Sequence, residues 1–260
     1  MTHLTAIVLT YNEARHISAC LETLNFADAR LVFDSFSTDN TVDLAQQVGA
    51  EVIQHEFENY AAQRNAALDA VADQTDYVLF VDADERVTPE LRDEVLHVIE
   101  NEDCAGWRIP RHNYLFGKLT LGAGWYPDYQ TRLLKVGQAH YDPERTVHEV
   151  VLLDGTEGTL DNPFIHYNYD HVAQFQAKQR KYLRYEAQIL YEQGTKPKVY
   201  TPFTQPLRHF YWRFITLRGY RDGFHGLRLS VLMAWYELRK TLLLSQMWRN
   251  KNGIPEGIPH

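Results

Sequence analysis

The chain has 260 residues, 45% of them hydrophobic and 23% charged, with a net charge of −8; this balance excludes intrinsic disorder and allows one large core, alone or with an appendage. The charge is unevenly divided, since residues 1–170 hold 11 Lys and Arg against 29 Asp and Glu while residues 171–260 hold 15 against 5. A basic tail on an acidic body marks a contact surface for nucleic acid or membrane, and the acidic body argues against a long phosphate chain as the partner. Cys20 and Cys104 have no metal-type spacing and read as apolar filler in a reducing compartment. The apolar run from Leu4 to Leu9 lacks a basic flank and is too short for a signal peptide, so a cytoplasmic protein is expected.

In chain order, Leu4–Thr10 reads as an apolar strand, and Ala14 to Leu24 as an amphipathic segment with Ile17, Cys20, Leu21 and Leu24 on one face. A strand over Arg30–Asp34 is followed by a polar turn, where Thr38 or Asp39 is positioned to cap a helix that runs to Val48 and stops at Gly49. Glu51–His55 reads as a third strand, Tyr60–Ala72 as a third helix and Tyr77–Val81 as a fourth strand. This β-α-β-α-β-α-β order implies a parallel sheet. After a helix from Pro89 to Glu100, residues 105–169 break into short pieces rich in Gly, Trp and Tyr, read as an antiparallel addition walling the same rim.

The fourth strand ends in Asp82-Ala83-Asp84-Glu85. Carboxylates at the carboxyl end of a buried strand place hard oxygen ligands where open α/β sheets bind their ligands and where Mg²⁺ or Mn²⁺ can bridge to a diphosphate. A solvated acidic turn is the plainer reading of a lone Asp-x-Asp. The parallel order, however, brings three more strand-end features to the same edge: Thr10-Tyr11-Asn12-Glu13, Asp34-Ser35 and Gln63-Arg64-Asn65. Together they offer an aromatic face for a base, carboxylates for base N–H and ribose hydroxyls, a guanidinium and a metal ligand, which is the inventory a nucleoside diphosphate requires.

These four motifs, in this order, resemble the family-2 inverting glycosyltransferases with the GT-A fold. The resemblance rests on Val8 to Glu13, Asp34 to Thr41, Gln63 to Ala66 and Val81 to Glu85. Phe36 departs from the family, which more often carries a small residue such as Gly in that turn. Later segments, Arg111 to Lys118, Gly124 to Leu133, Val147-His148-Glu149 and Arg218 to Gly226, resemble the small lipopolysaccharide-core glucosyltransferases.

The resemblance implies an α/β GT-A catalytic domain over residues 1–170, with a nucleotide-binding half to residue 100 and an acceptor half beyond it, and a helical basic extension over 171–260. It implies a metal-dependent transfer of a hexose, glucose by subfamily likeness, from a UDP-sugar to a lipid-linked saccharide. Thr10, Tyr11, Glu13, Asp34, Arg64, Asp82 and Asp84 are then the donor-binding residues, with Asp84 the ligand to Mg²⁺ or Mn²⁺. Inversion needs a base for the acceptor hydroxyl, for which Asp128 is the first candidate and Glu149, beside His148, the second. Asp128 also reads as a turn residue paired with Arg132. Trp125, Tyr126 and Arg132, with Trp107, Arg108, Arg111 and Lys118, are candidates for the acceptor surface and equally for packing.

In Leu207–Trp248, arginines alternate with Phe210, Tyr211, Trp212, Phe214, Trp235 and Tyr236, and no stretch reaches the roughly 18 apolar residues of a spanning helix. This suits a helix pair lying on anionic lipid at the inner face of the cytoplasmic membrane; packed helices or a dimer contact fit the same pattern. Two other functions share part of the site: a nucleotidyltransferase, against which the absence of glycine in Leu9–Arg15 argues, and a nucleotide-sugar-binding scaffold without turnover.

Overall fold

A computed structural model describes residues 2–143 and 150–250. Strand β1 (Leu4–Thr10), helix α1 (Ile17–Glu22), β2 (Ala29–Asp34), α2 (Thr41–Gln47), β3 (Glu51–Gln54), α3 (Tyr60–Val71) and β4 (Tyr77–Asp82) follow the order read from the sequence. β1 lies between β2 and β4, β3 lies outside β2, and all four are parallel. The register sets Thr10 beside Asp34 and Leu9 beside Asp82, so the polar strand ends share one edge. The uninterrupted apolar run of β4 is explained by cover on both faces. Val8, Leu79 and Val81 pack with Ile17, Leu21, Leu91 and Val95 on one side, and Ile7, Val78 and Phe80 with Ala61, Ala67 and Leu68 on the other.

Helix α2 starts at Thr41 and not at the expected Thr38 or Asp39. Asp39 instead accepts from the backbone N–H groups of Thr41 (3.0 Å) and Ala14 (3.2 Å), and the Thr38 N–H donates to Asn12 Oδ1 at 2.8 Å. These polar residues tie the turns after β1 and β2 to each other, which leaves neither in the usual capping role.

The chain continues through β5 (Glu85–Arg86), α4 (Pro89–Asn101), β6 (Gly106–Leu115), β7 (Lys118–Thr120), β8 (Tyr129–Lys135), β9 (Ala139–Tyr141), β10 (Val151–Leu153), β11 (Glu157–Thr159) and β12 (Phe164–Tyr169). Helix α4 begins as its sequence demands, with Pro89 in the first turn and Thr88 Oγ1 accepting from the Leu91 N–H. β8 extends the parallel sheet, antiparallel to both β4 and β6, so the expected antiparallel addition is present. One strand departs from it: β11 pairs with β6 in parallel. It crosses the indole of Trp107 at Gly158, where a Cβ would stand 2.2 Å from Trp107 Cδ1. Trp107 is fully buried and belongs to the core, not to an acceptor surface.

The chain forms two compact units, Met1–His112 with Asp128–His166, and Asn113–Pro127 with Tyr167–His260. Strands β6 and β12 run from one into the other. The second unit contains α5 (Val172–Glu192), α6 (Thr201–Tyr211), a π-helical turn over Trp212–Thr216, a 3-10 turn over Gly219–Asp222 and α7 (Gly223–Asn250). Leu115, Tyr169, Phe175 and Leu229 form one small core there and Ala187, Leu243 and Met247 another. Among the described residues no helix is long and apolar enough to cross a membrane.

Candidate functional site

The carboxyl ends of β1, β2 and β4 deliver their side chains into two different environments. Asp34 is completely buried and fully engaged: it accepts from Thr10 Oγ1 (2.8 Å), from the Ser37 N–H (2.8 Å) and hydroxyl (2.5 Å), and from Gln54 Nε2 (3.3 Å). Thr10 is buried with it, so the pair joins β1 to β2. Tyr11, one residue further on, is 61% exposed. Asn12 and Phe36 both adopt left-handed backbone angles, φ 57° and 56°. That conformation is the one a glycine takes at least cost, which is why Phe36 stood out against the family pattern.

Asp82 stands among guanidinium groups. Arg132 Nη2 lies 2.7 Å from its Oδ2, Arg64 Nη2 3.1 Å from its Oδ1, and Arg111 Nη1 3.9 Å from Oδ2. Burial opposes its charge, but Arg132, Arg64 and Arg111 outweigh burial and hold the carboxyl below the usual range. Arg64, expected at the base or the diphosphate, is buried, with its guanidinium over the rings of Phe80 and Tyr141. Arg132, expected at the acceptor, is likewise buried against Asp82. Its partner is thus Asp82; the partner of Asp128 is Arg111, whose Nε and Nη2 lie 2.9 and 2.7 Å from Asp128 Oδ2, while Gln130 Nε2 is 3.2 Å from Oδ1.

Arg111 therefore bridges the acids of β4 to Asp128. It also stands 3.6 Å from Glu85, whose Oε2 accepts from the Asp82 N–H at 2.9 Å. Burial first, and then the charge of Asp82, push the Glu85 carboxyl up. Asp84 points elsewhere: its side chain is a third exposed and its Oδ2 lies 3.4 Å from Nε2 of buried His166 on β12. Glu13 is pushed up to about 7 by burial and by the like charges of Asp84, Asp39 and Asp82.

Sequence reasoning passed over His166. Its one signal was alternation, which sets it on the buried face of β12 with Phe164, where a polar ring is unusual. His148 and Glu149 lie outside the described residues. Trp125 and Tyr126 belong to the second unit; the Trp125 indole N–H is buried without a hydrogen-bond partner, and its carbonyl accepts from Asn113 Nδ2 at 2.9 Å.

The chain resembles known proteins over most of its length. The model of glycosyl transferase family 2 matches residues 5–147. A lipopolysaccharide core biosynthesis glycosyltransferase, LpsC of Rhizobium meliloti (strain 1021), is 26% identical over 89% of this chain and 90% of its own length. An uncharacterized glycosyltransferase of Rickettsia felis is 26% identical over 98% of this chain and 94% of its own. Among solved structures, S. aureus TarS 1-349 covers 99% of this chain and 98% of that one at a TM-score of 0.48 and 14% identity.

Proposed function

From the premise that this chain belongs to glycosyl transferase family 2, and is thus a glycosyltransferase of GT-A type, we propose that it moves a hexose, glucose in our reading, from a UDP-sugar to a lipid-linked saccharide. A heptose of the lipopolysaccharide core is the acceptor we favour, with transfer at the inner face of the cytoplasmic membrane. The observation that carries the donor reading is the acidic strand edge, where a third-exposed Asp84 stands near Glu13 and Asp82. Such an edge calls for a cation, and a cation held there attracts a diphosphate. The likeness to a relative named for lipopolysaccharide core biosynthesis supports the acceptor class.

Asp84 would hold Mg²⁺ or Mn²⁺ through one hard oxygen, with the remaining positions left to the diphosphate and water, since among the described residues no three His, Cys, Asp or Glu side chains cluster as ligands. When bound, such an ion neutralises the charge that develops on the leaving nucleoside diphosphate. The chain's own residues do the rest. Tyr11 offers an exposed ring for the base, with Thr10 and Asp34 building the turn that presents it. Arg64 and Arg132 keep Asp82 ionised and oriented toward the ribose. Asp128 takes the proton from the acceptor hydroxyl, its carboxylate held in place by Arg111. Trp125 and Tyr126 are the acceptor residues we propose on the second unit.

The deciding experiment is thermal unfolding with a panel of UDP-sugars, each with and without Mn²⁺, on the wild type and on Asp84→Ala. A ligand that binds only the native state raises the midpoint by mass action. We expect a metal-dependent rise for one UDP-sugar that Asp84→Ala abolishes without lowering the unliganded midpoint; an undiminished rise in that variant would sink the metal assignment.

A further inference from the structure

The helical unit contains a cavity for which the transfer reaction has no use. It measures about 120 Å³ and is lined by Glu186, His209, Arg213, Glu237 and Lys240 among others. It shares His209 and Glu237 with a wider recess of about 380 Å³ that adds Gln205, Arg208 and Trp212. The larger volume lies in the range of roughly 300–1,000 Å³ common to small-molecule sites.

The polar groups here are incompletely answered. Lys240 is committed to the chain, with its Nζ 2.9 Å from Glu186 and 2.8 Å from Glu237. Arg213 donates from Nη1 to the Ala123 carbonyl at 2.6 Å, but its buried Nε meets no acceptor, and the buried Nδ1 of His209 has no partner either. Buried donors left unmet are costly, and a guanidinium most of all. Arg213 sits in the π-helical turn Trp212–Thr216, a distortion often found where a helix serves a ligand. Burial first, and then the neighbouring Arg213, disfavour a charge on His209. Taken together, the cavity and the recess are lined by three cations, Arg208, Arg213 and Lys240, against two carboxylates, Glu186 and Glu237. One positive charge remains for a monoanion rich in acceptor oxygens.

The surface around α6 indicates where that monoanion comes from. Tyr200, Phe203, Leu207 and Tyr211 form a stripe 56 to 72% exposed, on the side of α6 away from Gln205, His209 and Trp212. Arg208 stands one residue, about 100°, round the helix from Leu207. A helix half sunk by such a stripe has lipid phosphates along its flanks, where Arg208 stands. We propose that this cavity binds the phosphodiester of an anionic glycerophospholipid, with Arg208 at its mouth and Arg213 and His209 inside. The proposal rests on the membrane part of the function proposed above and adds to it a defined headgroup site.

Two measurements on the full chain separate the two. Dihexanoyl phosphatidylglycerol, below its micelle concentration, should raise the unfolding midpoint, and Arg208→Gln and His209→Ala should each weaken that binding roughly tenfold. Dihexanoyl phosphatidylcholine, whose choline cancels the charge, and inorganic phosphate should give little or no rise. A Phe203→Ser/Leu207→Ser variant should keep the response to the short-chain lipid yet fail to float with phosphatidylglycerol vesicles. Loss of flotation with the soluble response intact supports the headgroup site. No response to dihexanoyl phosphatidylglycerol, or wild-type binding by both cavity variants, overturns the site even if vesicles still bind. An equal response to inorganic phosphate overturns the lipid assignment. Arg213→Gln also removes the bond to Ala123, so Arg208→Gln and His209→Ala carry the test.

Discussion

The two units handle charge and apolar surface in opposite ways. In the sheet-bearing unit the buried acids are met by the chain itself: four donors surround Asp34, and three arginines surround Asp82. The network is not complete there: buried Glu85 Oε1 and Arg132 Nε make no hydrogen bond, and the Asp84 side chain is a third exposed. In the helical unit the incompleteness takes another form, an apolar stripe facing solvent beside the buried Arg213 Nε and His209 Nδ1. Satisfied polar groups build a frame, and unsatisfied ones mark where something from outside is expected. By that criterion the first unit is open at its strand ends and the second along α6.

Substitutions can break or sharpen this contrast. The largest effect is expected at the opening: Asp84→Ala should lower the transfer rate about a thousandfold, roughly 4 kcal/mol of barrier, with the fold intact. Steady-state kinetics beside circular dichroism would check it. Next comes the frame, where Arg132→Met leaves Asp82 short of its nearest cation and should cost about 3 kcal/mol in urea unfolding. A loss under about 1 kcal/mol would mean that Arg64 and Arg111 suffice. Gly158→Ala drives a methyl group into Trp107 and should cost about 2 kcal/mol by the same assay.

Glu13 supplies a smaller, pH-dependent effect. With a folded pKa of about 7 against 4.5 unfolded, the native state binds the extra proton between those values. Its contribution is present below pH 4.5 and is lost as pH rises through 7. Glu13→Gln should therefore gain on the wild type across that window by about 1 kcal/mol once solvent screening is allowed for, roughly 2–4 °C in midpoint. Thermal scans at several pH values read this directly, and a parallel course for the two proteins would contradict it. Smallest of all, Phe203→Ser/Leu207→Ser should change stability by no more than about 0.5 kcal/mol, because nothing in the second unit packs on that stripe. A large loss there would make the stripe part of a core and collapse the contrast.

The parallel half was legible in the sequence because each strand carries its own signal: uninterrupted apolar runs, breaks at Gly and polar turns, and acids only at the ends. The shared polar edge was legible because polar residues follow each strand end, as at Tyr11 and Asp84. It was not legible where partners meet across the sheet. The spacing of Asp128 and Arg132 suggested a pair, but β8 runs antiparallel to β4 with Leu133 opposite Leu79. That register sends Arg132 diagonally to Asp82, while pairing with β6 brings Arg111 to Asp128. No local pattern encodes a neighbour chosen by register. The same holds for His166, which meets Asp84 only because β12 pairs with β5, His166 opposite Glu85.

Consecutive residues of α3 do separate work: Arg64 holds Asp82, and Asn65 both donates to and accepts from the backbone of Tyr141, at 2.9 and 2.8 Å. Because Tyr141 also pairs with Val151, its backbone is gripped from two sides, by a helix side chain and by a neighbouring strand. One amide side chain thus carries a two-way tie between α3 and β9, and Asn65→Ala would cut both of its bonds at once.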